Sequence, residues 1–152
     1  MAEKYPNTEG TGYTLDKCEL ELNGKLFTAI ENISHSQPVE ESSKNGATGQ
    51  PILRSRGALG LGSGSVEWSD IGSAQEFIDS LGDGWQEKTW KATLTYSALG
   101  RPTIKRTLIS CRCLDAEEDH ASGPELLGTV MPFSFMKREM NGKKPFTGQG
   151  YT

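Results

Sequence analysis

The sequence predicts a mainly β fold: a β-sandwich or barrel-like core with one short flanking α-helix and one extended loop. Three observations predict it. The 18 glycines and 7 prolines among 152 residues favour many turns and short strands over a helical bundle. Several runs alternate apolar with polar residues, as a half-buried strand does. A single segment, Ser73 to Leu81, carries the helical period instead. A chain of this length reads as one domain that buries about 68% of its unfolded surface, so it needs neither metal nor disulfide to fold. Within it we distinguish an N-terminal arm over 1–14, a β-rich body over 15–136 and a basic turn and tail over 137–152.

Met1 to Tyr13 is polar and reads as an arm that orders only against a neighbour. Cys18 to Ile33 reads as a hairpin, because Cys18, Leu20 and Leu22 alternate with Glu19 and Glu21 ahead of an Asn23-Gly24 turn signal. Beyond the turn, Leu26, Thr28 and Ile30 share one face, and Phe27 and Ala29 the other. The stretch 34–56 is long, polar and poor in core residues. It is either a surface loop or a protruding ribbon with a strand over His35–Glu41, anchored at Val39 and turning at Asn45-Gly46. So much backbone polarity is hard to satisfy within one small body, which makes this an expected interface loop.

Gly57 to Trp68 holds glycines at 57, 60, 62 and 64 and ends in Val66, Glu67 and Trp68. It reads as a strand and glycine-rich loop passing close to a neighbouring backbone on the way to the helix. That helix is expected over 73–81, with Ser73 as N-cap, Glu76 at the capping-box spacing and a stripe of Ala74, Phe77, Ile78 and Leu81. Gly82 ends it. Trp68, Trp85 and Trp90 lie around the helix and anchor it or an interface. Thr89–Tyr96 and Thr103–Leu114 form the next hairpin. In its second strand both faces are mixed, as for a strand between a core and a subunit contact. Leu126 to Met136 is the last strand, with Pro132 pointing to a bulge, an edge position or a crossing between sheets.

No catalytic constellation emerges. His35 and His120 have no ligand spacing to Cys18, Cys111 or Cys113, and the one-residue gap between the last two is too tight for the usual redox or zinc motif. If Cys111 and Cys113 lie in a strand they share a face, and one of them faces the core. The glycine run lacks the Gly-Lys-Ser/Thr ending of a phosphate loop. No nucleophile, base and orienting residue come together, so no enzyme, cofactor or metal is expected. The formal charge of -4 argues against general binding to phosphate backbones, although Lys137-Arg138 and Lys143-Lys144 make a small basic patch. There is no secretory signal and no apolar run of membrane-spanning length, which sets a reducing cytoplasm, or an assembly built there, as the expected compartment.

The order of these features resembles that of the inner tail tube proteins of contractile-tailed bacteriophages, related in fold to the tubes of long non-contractile tails and of type VI secretion. The resemblance runs from Leu22-Asn23-Gly24-Lys25-Leu26-Phe27 through Ile33-Ser34-His35-Ser36, the approach from Pro51 to Gly57 and Gly64-Ser65-Val66-Glu67. The helix, the Trp90 to Leu114 hairpin and Leu127-Gly128-Thr129-Val130 complete it, so that it spans about 16–136. It implies a structural virion protein made in the host bacterial cytoplasm. Six copies form a ring and rings stack into a hollow tube, with strands of adjacent copies joined in a continuous inner barrel. A sheath, a tape-measure protein and a baseplate are the implied partners, and DNA transits the lumen without specific binding. Val39, Asn45, Arg54, Arg56, Lys137 and Arg138 are then the candidate contacts between subunits. Glu19, Glu21, Glu40, Glu41 and Glu67 are candidate lumen acids because they lie on or beside predicted strands, and an acidic wall would repel passing DNA. Two alternatives stand beside this reading: the tube of a type VI-like or phage-derived injection system, and a small cytoplasmic β-rich binding module.

Overall fold

The structure, a computed structural model, describes residues 12–146. The outer part of the expected arm and the last part of the tail lie outside the described residues. A turn of 3-10 helix at Leu15–Lys17 leads into β1 (Cys18–Leu22), β2 (Lys25–Phe27), β3 (Ile30–Ser36), β4 (Val39–Asn45), β5 (Pro51–Leu59) and β6 (Gly62–Trp68). The helix α1 (Ile71–Leu81) follows. After it come β7 (Trp90–Tyr96), β8 (Ile104–Cys113), the two-residue β9 (Glu117–Glu118), β10 (Thr129–Phe135) and β11 (Lys137–Met140). Nine strands form one sheet along the path β2-β1-β7-β8-β10-β6-β3, with β11 paired to β8 and β9 to β10; β4 and β5 pair only with each other.

The two ends of that path, β2 and β3, are separated in the chain by only Thr28 and Ala29, so the sheet must curl back on itself. Its two halves enclose one core. Leu20 and Leu22 of β1, Ala92 and Leu94 of β7 and Leu108 of β8 face Val66 and Trp68 of β6 and Met131, Phe133 and Phe135 of β10. The expected sandwich or barrel-like body with a single flanking helix is what forms. The Asn23-Gly24 turn closes the first hairpin with both residues at positive φ, 52° and 82°, the geometry a two-residue hairpin loop requires. Its second strand stops at Phe27, however, and Ile30 opens a new strand paired to β6.

The helix starts two residues before the expected position. Asp70, not Ser73, is its N-cap, accepting from the Gly72 N–H at 3.3 Å, while the Ser73 hydroxyl reaches the other Asp70 oxygen at 3.5 Å. A carboxylate at this end also meets the positive pole of the helix, which is why it displaces the serine. At the other end Gly82, at φ 80°, donates its N–H to the Ile78 carbonyl, and Lys88 Nζ donates to the Leu81 carbonyl at 2.6 Å. Ala74, Phe77 and Leu81 are buried as the stripe predicts. The Phe77 ring lies 5.0 Å from Trp90, and 5.9 Å from both Phe27 and Trp68, so it seals the core where β2, β6 and β7 approach one another.

Two further expectations are corrected. The mixed faces of β8 come from a bulge. Trp90 is opposite Cys111 and Ala92 opposite Leu108, so β8 holds one residue more than β7 there, and Ser110 takes φ 58°. The inward set therefore switches from Leu108 to Cys111 and Cys113, and both cysteines are buried. In β10, Pro132 causes no interruption: the strand alternates buried and half-buried residues throughout and pairs in unbroken register with β6. Pro132 accepts from the Leu114 N–H, one residue beyond the end of β8. Because N–H and C=O of one residue in an antiparallel strand face the same neighbour, the missing donor points to where the β8 ladder has ended.

The glycines of β6 are required by contact. A Cβ on Gly62 would overlap the Phe135 ring, and one on Gly64 would overlap the Ser34 carbonyl oxygen and come within 2.8 Å of Phe133. The glycine run is thus not one long loop. It is the end of β5, a break at Gly60-Leu61, and a strand pressed between its neighbours.

Candidate assembly surface

The segment expected as an extended loop over 34–56 is a two-stranded ribbon over 39–59. Residues 34–36 belong to β3 in the body. The one strand expected over His35–Glu41 is split by Gln37-Pro38, and the turn lies at 46–50, where the Gly46 N–H donates to the Gln50 carbonyl at 2.7 Å. A lone pair of strands has little stability in water, and this pair shares no ladder with the main sheet.

Its attachment to the body is built from the residues beside it. Gln37, 6% exposed, donates from Nε2 to the Gly60 carbonyl at 3.0 Å and to the Met136 carbonyl at 2.9 Å. One side chain thereby ties the outgoing leg of the ribbon to its returning leg and both to the β10–β11 junction. Its Oε1 is buried and makes no hydrogen bond. A second tie runs parallel to the first, from Arg138 Nη1 to His35 Nδ1 at 3.1 Å. Burial lowers the pKa of His35 below its ordinary value, and the guanidinium groups of Arg138 and Arg106 lower it further. Nothing in the sequence marks Gln37 as buried; the only signal is its place, with Pro38, between two strands.

The candidate contact residues divide accordingly. Val39 begins β4, 39% exposed and opposite Leu59, while Asn45 ends it, exposed and opposite Pro51. Arg54 and Arg56 lie on β5 in register with Ser43 and Glu41; their side chains, like that of Glu40, lie outside the described residues. Lys137 and Arg138 do not begin a turn. They open β11, antiparallel to β8, and are half-buried in the body.

The candidate lumen acids do not gather on one surface. Glu19 and Glu21 are exposed on the outward face of the β1–β7 half, Glu41 is on the ribbon, and Glu67 is half-buried on the outward face of the β3–β6–β10 half. That second face is dominated by hydroxyls. Ser34 and Ser36, Ser63 and Ser65, and Ser134 stand side by side across three strands, with Ser34 Oγ 3.2 Å from Ser65 Oγ. A shallow depression of about 320 Å³ there is lined by Ser34, His35, Ser36, Ser63, Gly64 and Ser65.

Cysteine chemistry is quiet. Burial pushes the Cys111 thiol up to about 12 and the Cys113 thiol up to about 11, and all three cysteines are free. Among the described residues no three His, Cys, Asp or Glu side chains come together to hold a metal, and no helix is long and apolar enough to cross a membrane.

No protein-family model matches the chain, and no curated protein matches it. Solved structures do. A chain of the PVC sheath–tube complex of an extracellular contractile injection system, in its extended state, superposes with a TM-score of 0.65 at 7% identity, over 85% of this chain and 90% of that one. A chain of the sheath/tube terminator of the same kind of system gives 0.67 at 6% identity, over 86% and 96%. The tube-terminating cap of the anti-feeding prophage gives 0.66 at 9% identity, over 92% and 93%. The chain thus shares its fold with these sheath–tube, terminator and cap chains. At these identities the likeness is one of backbone path, not of side chains.

Proposed function

We propose that this chain is the subunit of a self-assembling hollow tube within a contractile injection system, and that its work is mechanical and not catalytic. The observation that carries this is the ribbon on its tube-type body: β4 and β5 pair only with each other and project exposed Val39 and Leu53. Identical copies supply what the single chain lacks. Six bodies close a ring, each ribbon lies against a neighbouring copy, and stacked rings form the conduit. An interface that joins unlike faces of identical subunits closes into rings or propagates into a filament. A surrounding sheath, a tape-measure protein and a baseplate are the partners this reading requires.

Two of the three similar structures named above belong to an extracellular contractile injection system, and this favours an injection tube over a phage tail tube that conducts DNA. The net charge of -4 and the exposed Glu19 and Glu21 suit the DNA-conducting reading, in which the particle is a virion and the wall repels the genome. Both readings share the assembly and differ in what passes through it. Electron microscopy of the purified chain in negative stain tests the shared part: hexameric rings or hollow tubes are expected. A strictly monomeric chain at high concentration, with no growth on a baseplate template, would instead identify a small β-rich binding module.

A further inference from the structure

We propose that the outward face of the β3–β6–β10 half lines the bore of the tube, so that the cargo meets a wall made mainly of neutral hydroxyl groups. This rests on the tube reading and adds which of the two outward faces of the body the cargo passes.

The two halves of the body turn unlike faces outward. On the β1–β7 half, Glu19, Glu21 and Lys91 present charge of both signs beside the exposed Leu26. On the other half the register sets the outward residues in rows across three strands. Ser36, Ser63 and Ser134 form one row, and Ser34, Ser65 and Pro132 the next. These side chains are short and uncharged, and one row follows the other at about 7 Å. Charge stands at the borders, with Glu67 in the row beyond Ser65 and Arg112 of β8 opposite Ser134.

The ribbon marks this half as the one through which copies join. β4 follows β3 directly after Gln37-Pro38, and β5 leads into β6 across Gly60-Leu61. A ribbon laid against a neighbouring copy therefore extends the wall from β3 and β6, not from β1 or β7. β3 is also the last strand of the sheet path, so it offers its outer edge at the same border. In a wall joined along this half from copy to copy, one side holds the cores and the β1–β7 halves, and the other side is the serine face. The bulky side takes the larger circumference, which turns the serines toward the axis.

The chemistry suits passage. A hydroxyl both donates and accepts hydrogen bonds, so a wall of serines holds a layer of water. With fixed charge confined to its borders, it grips neither an acidic nor a basic cargo. Glu19 and Glu21 then lie on the outside of the tube, and of the candidate lumen acids Glu67 is the one that borders the serine rows.

Thiol labelling of assembled tubes tests the assignment. Ser63→Cys and Glu19→Cys are made separately in a Cys18→Ser chain, whose remaining cysteines are buried. Tubes are treated either with N-ethylmaleimide or with a biotin maleimide followed by streptavidin, and decoration is read by electron microscopy. Both thiols are expected to react with N-ethylmaleimide. Streptavidin is expected to coat E19C tubes along their length and to bind the S63C chain only after the tubes are dispersed. Ser36→Cys, in the same row as Ser63, replaces S63C if that variant does not assemble, with the same expectation. S63C tubes coated along their length, E19C tubes left bare, or an S63C thiol closed to N-ethylmaleimide as well would each overturn the proposal. A parent chain that forms no tube defeats the tube reading and this assignment with it, whereas tubes with the serine face outside defeat the assignment alone.

Discussion

The body and the ribbon of this protein are built from similar lengths of strand and obey different rules. In the body β1, β6, β7, β8 and β10 each give one face to a shared core, and Trp68, Phe77, Phe133 and Phe135 are almost wholly buried. In the ribbon Val39 and Leu53 are exposed, the partner strand is local, and two hydrogen bonds from Gln37 tie its root to Gly60 and Met136. On the proposed function the contrast teaches a separation of folding from assembly: the body carries its own stability, and the ribbon offers contacts for another copy to complete.

The sharpest way to break this contrast is to damage the body. Phe77→Asp would place a charge among three aromatic rings and is expected to leave no soluble folded protein. Phe77→Ala is expected to lose about 3–5 kcal/mol in chemical denaturation. A soluble Phe77→Asp variant with an unchanged melting temperature would remove the helix from the core altogether. Gly64→Ala comes next, because its methyl group must displace both the Ser34 carbonyl and the Phe133 ring. We expect about 1–3 kcal/mol of destabilisation by the same measurement. The same change at Gly60, where nothing lies within 4 Å, serves as the control.

Smaller effects follow from titration. Below about pH 6.5 the unfolded chain protonates His35 while the folded chain resists, because its folded pKa is lowered. The His35 contribution to stability is therefore complete above that pH and falls as the pH drops below it. The cysteines act at the other end. Their folded pKa values, about 12 for Cys111 and about 11 for Cys113, lie above the ordinary thiol value of 9.0, so the unfolded chain releases its thiol protons first. Stability is full below about pH 9 and declines as the pH rises toward the folded values. Thiol labelling of the native chain should modify Cys18 alone, with Cys111 and Cys113 reacting only at the rate of opening. Equal labelling of all three would show a looser β7–β8 pair than the structure has.

What the sequence disclosed depended on whether a signal was local. The Asn23-Gly24 hairpin, the Ala74-Phe77-Leu81 stripe and the Trp90 to Tyr96 alternation each declare themselves within a few residues, and each is where it was expected. The bulge at Ser110 was hidden because it is a matter of register between two strands, visible only when Trp90 is set opposite Cys111. Asp70 is not distinguished in the sequence, because Ser73 with Glu76 satisfies the same capping pattern. The ribbon is legible as an excess of polar backbone over 34–56. Its root is not, since Gln37, Gly60 and Met136 are joined only by the fold.

Deletion of Ser42 to Gly49 tests the separation of folding from assembly most directly, with denaturation and electron microscopy applied to the same two preparations. The prediction is an unfolding free energy within about 0.5 kcal/mol of the intact chain, together with loss of rings and tubes that the intact chain forms. A shortened chain that unfolds readily, or one that still stacks into tubes, would contradict it.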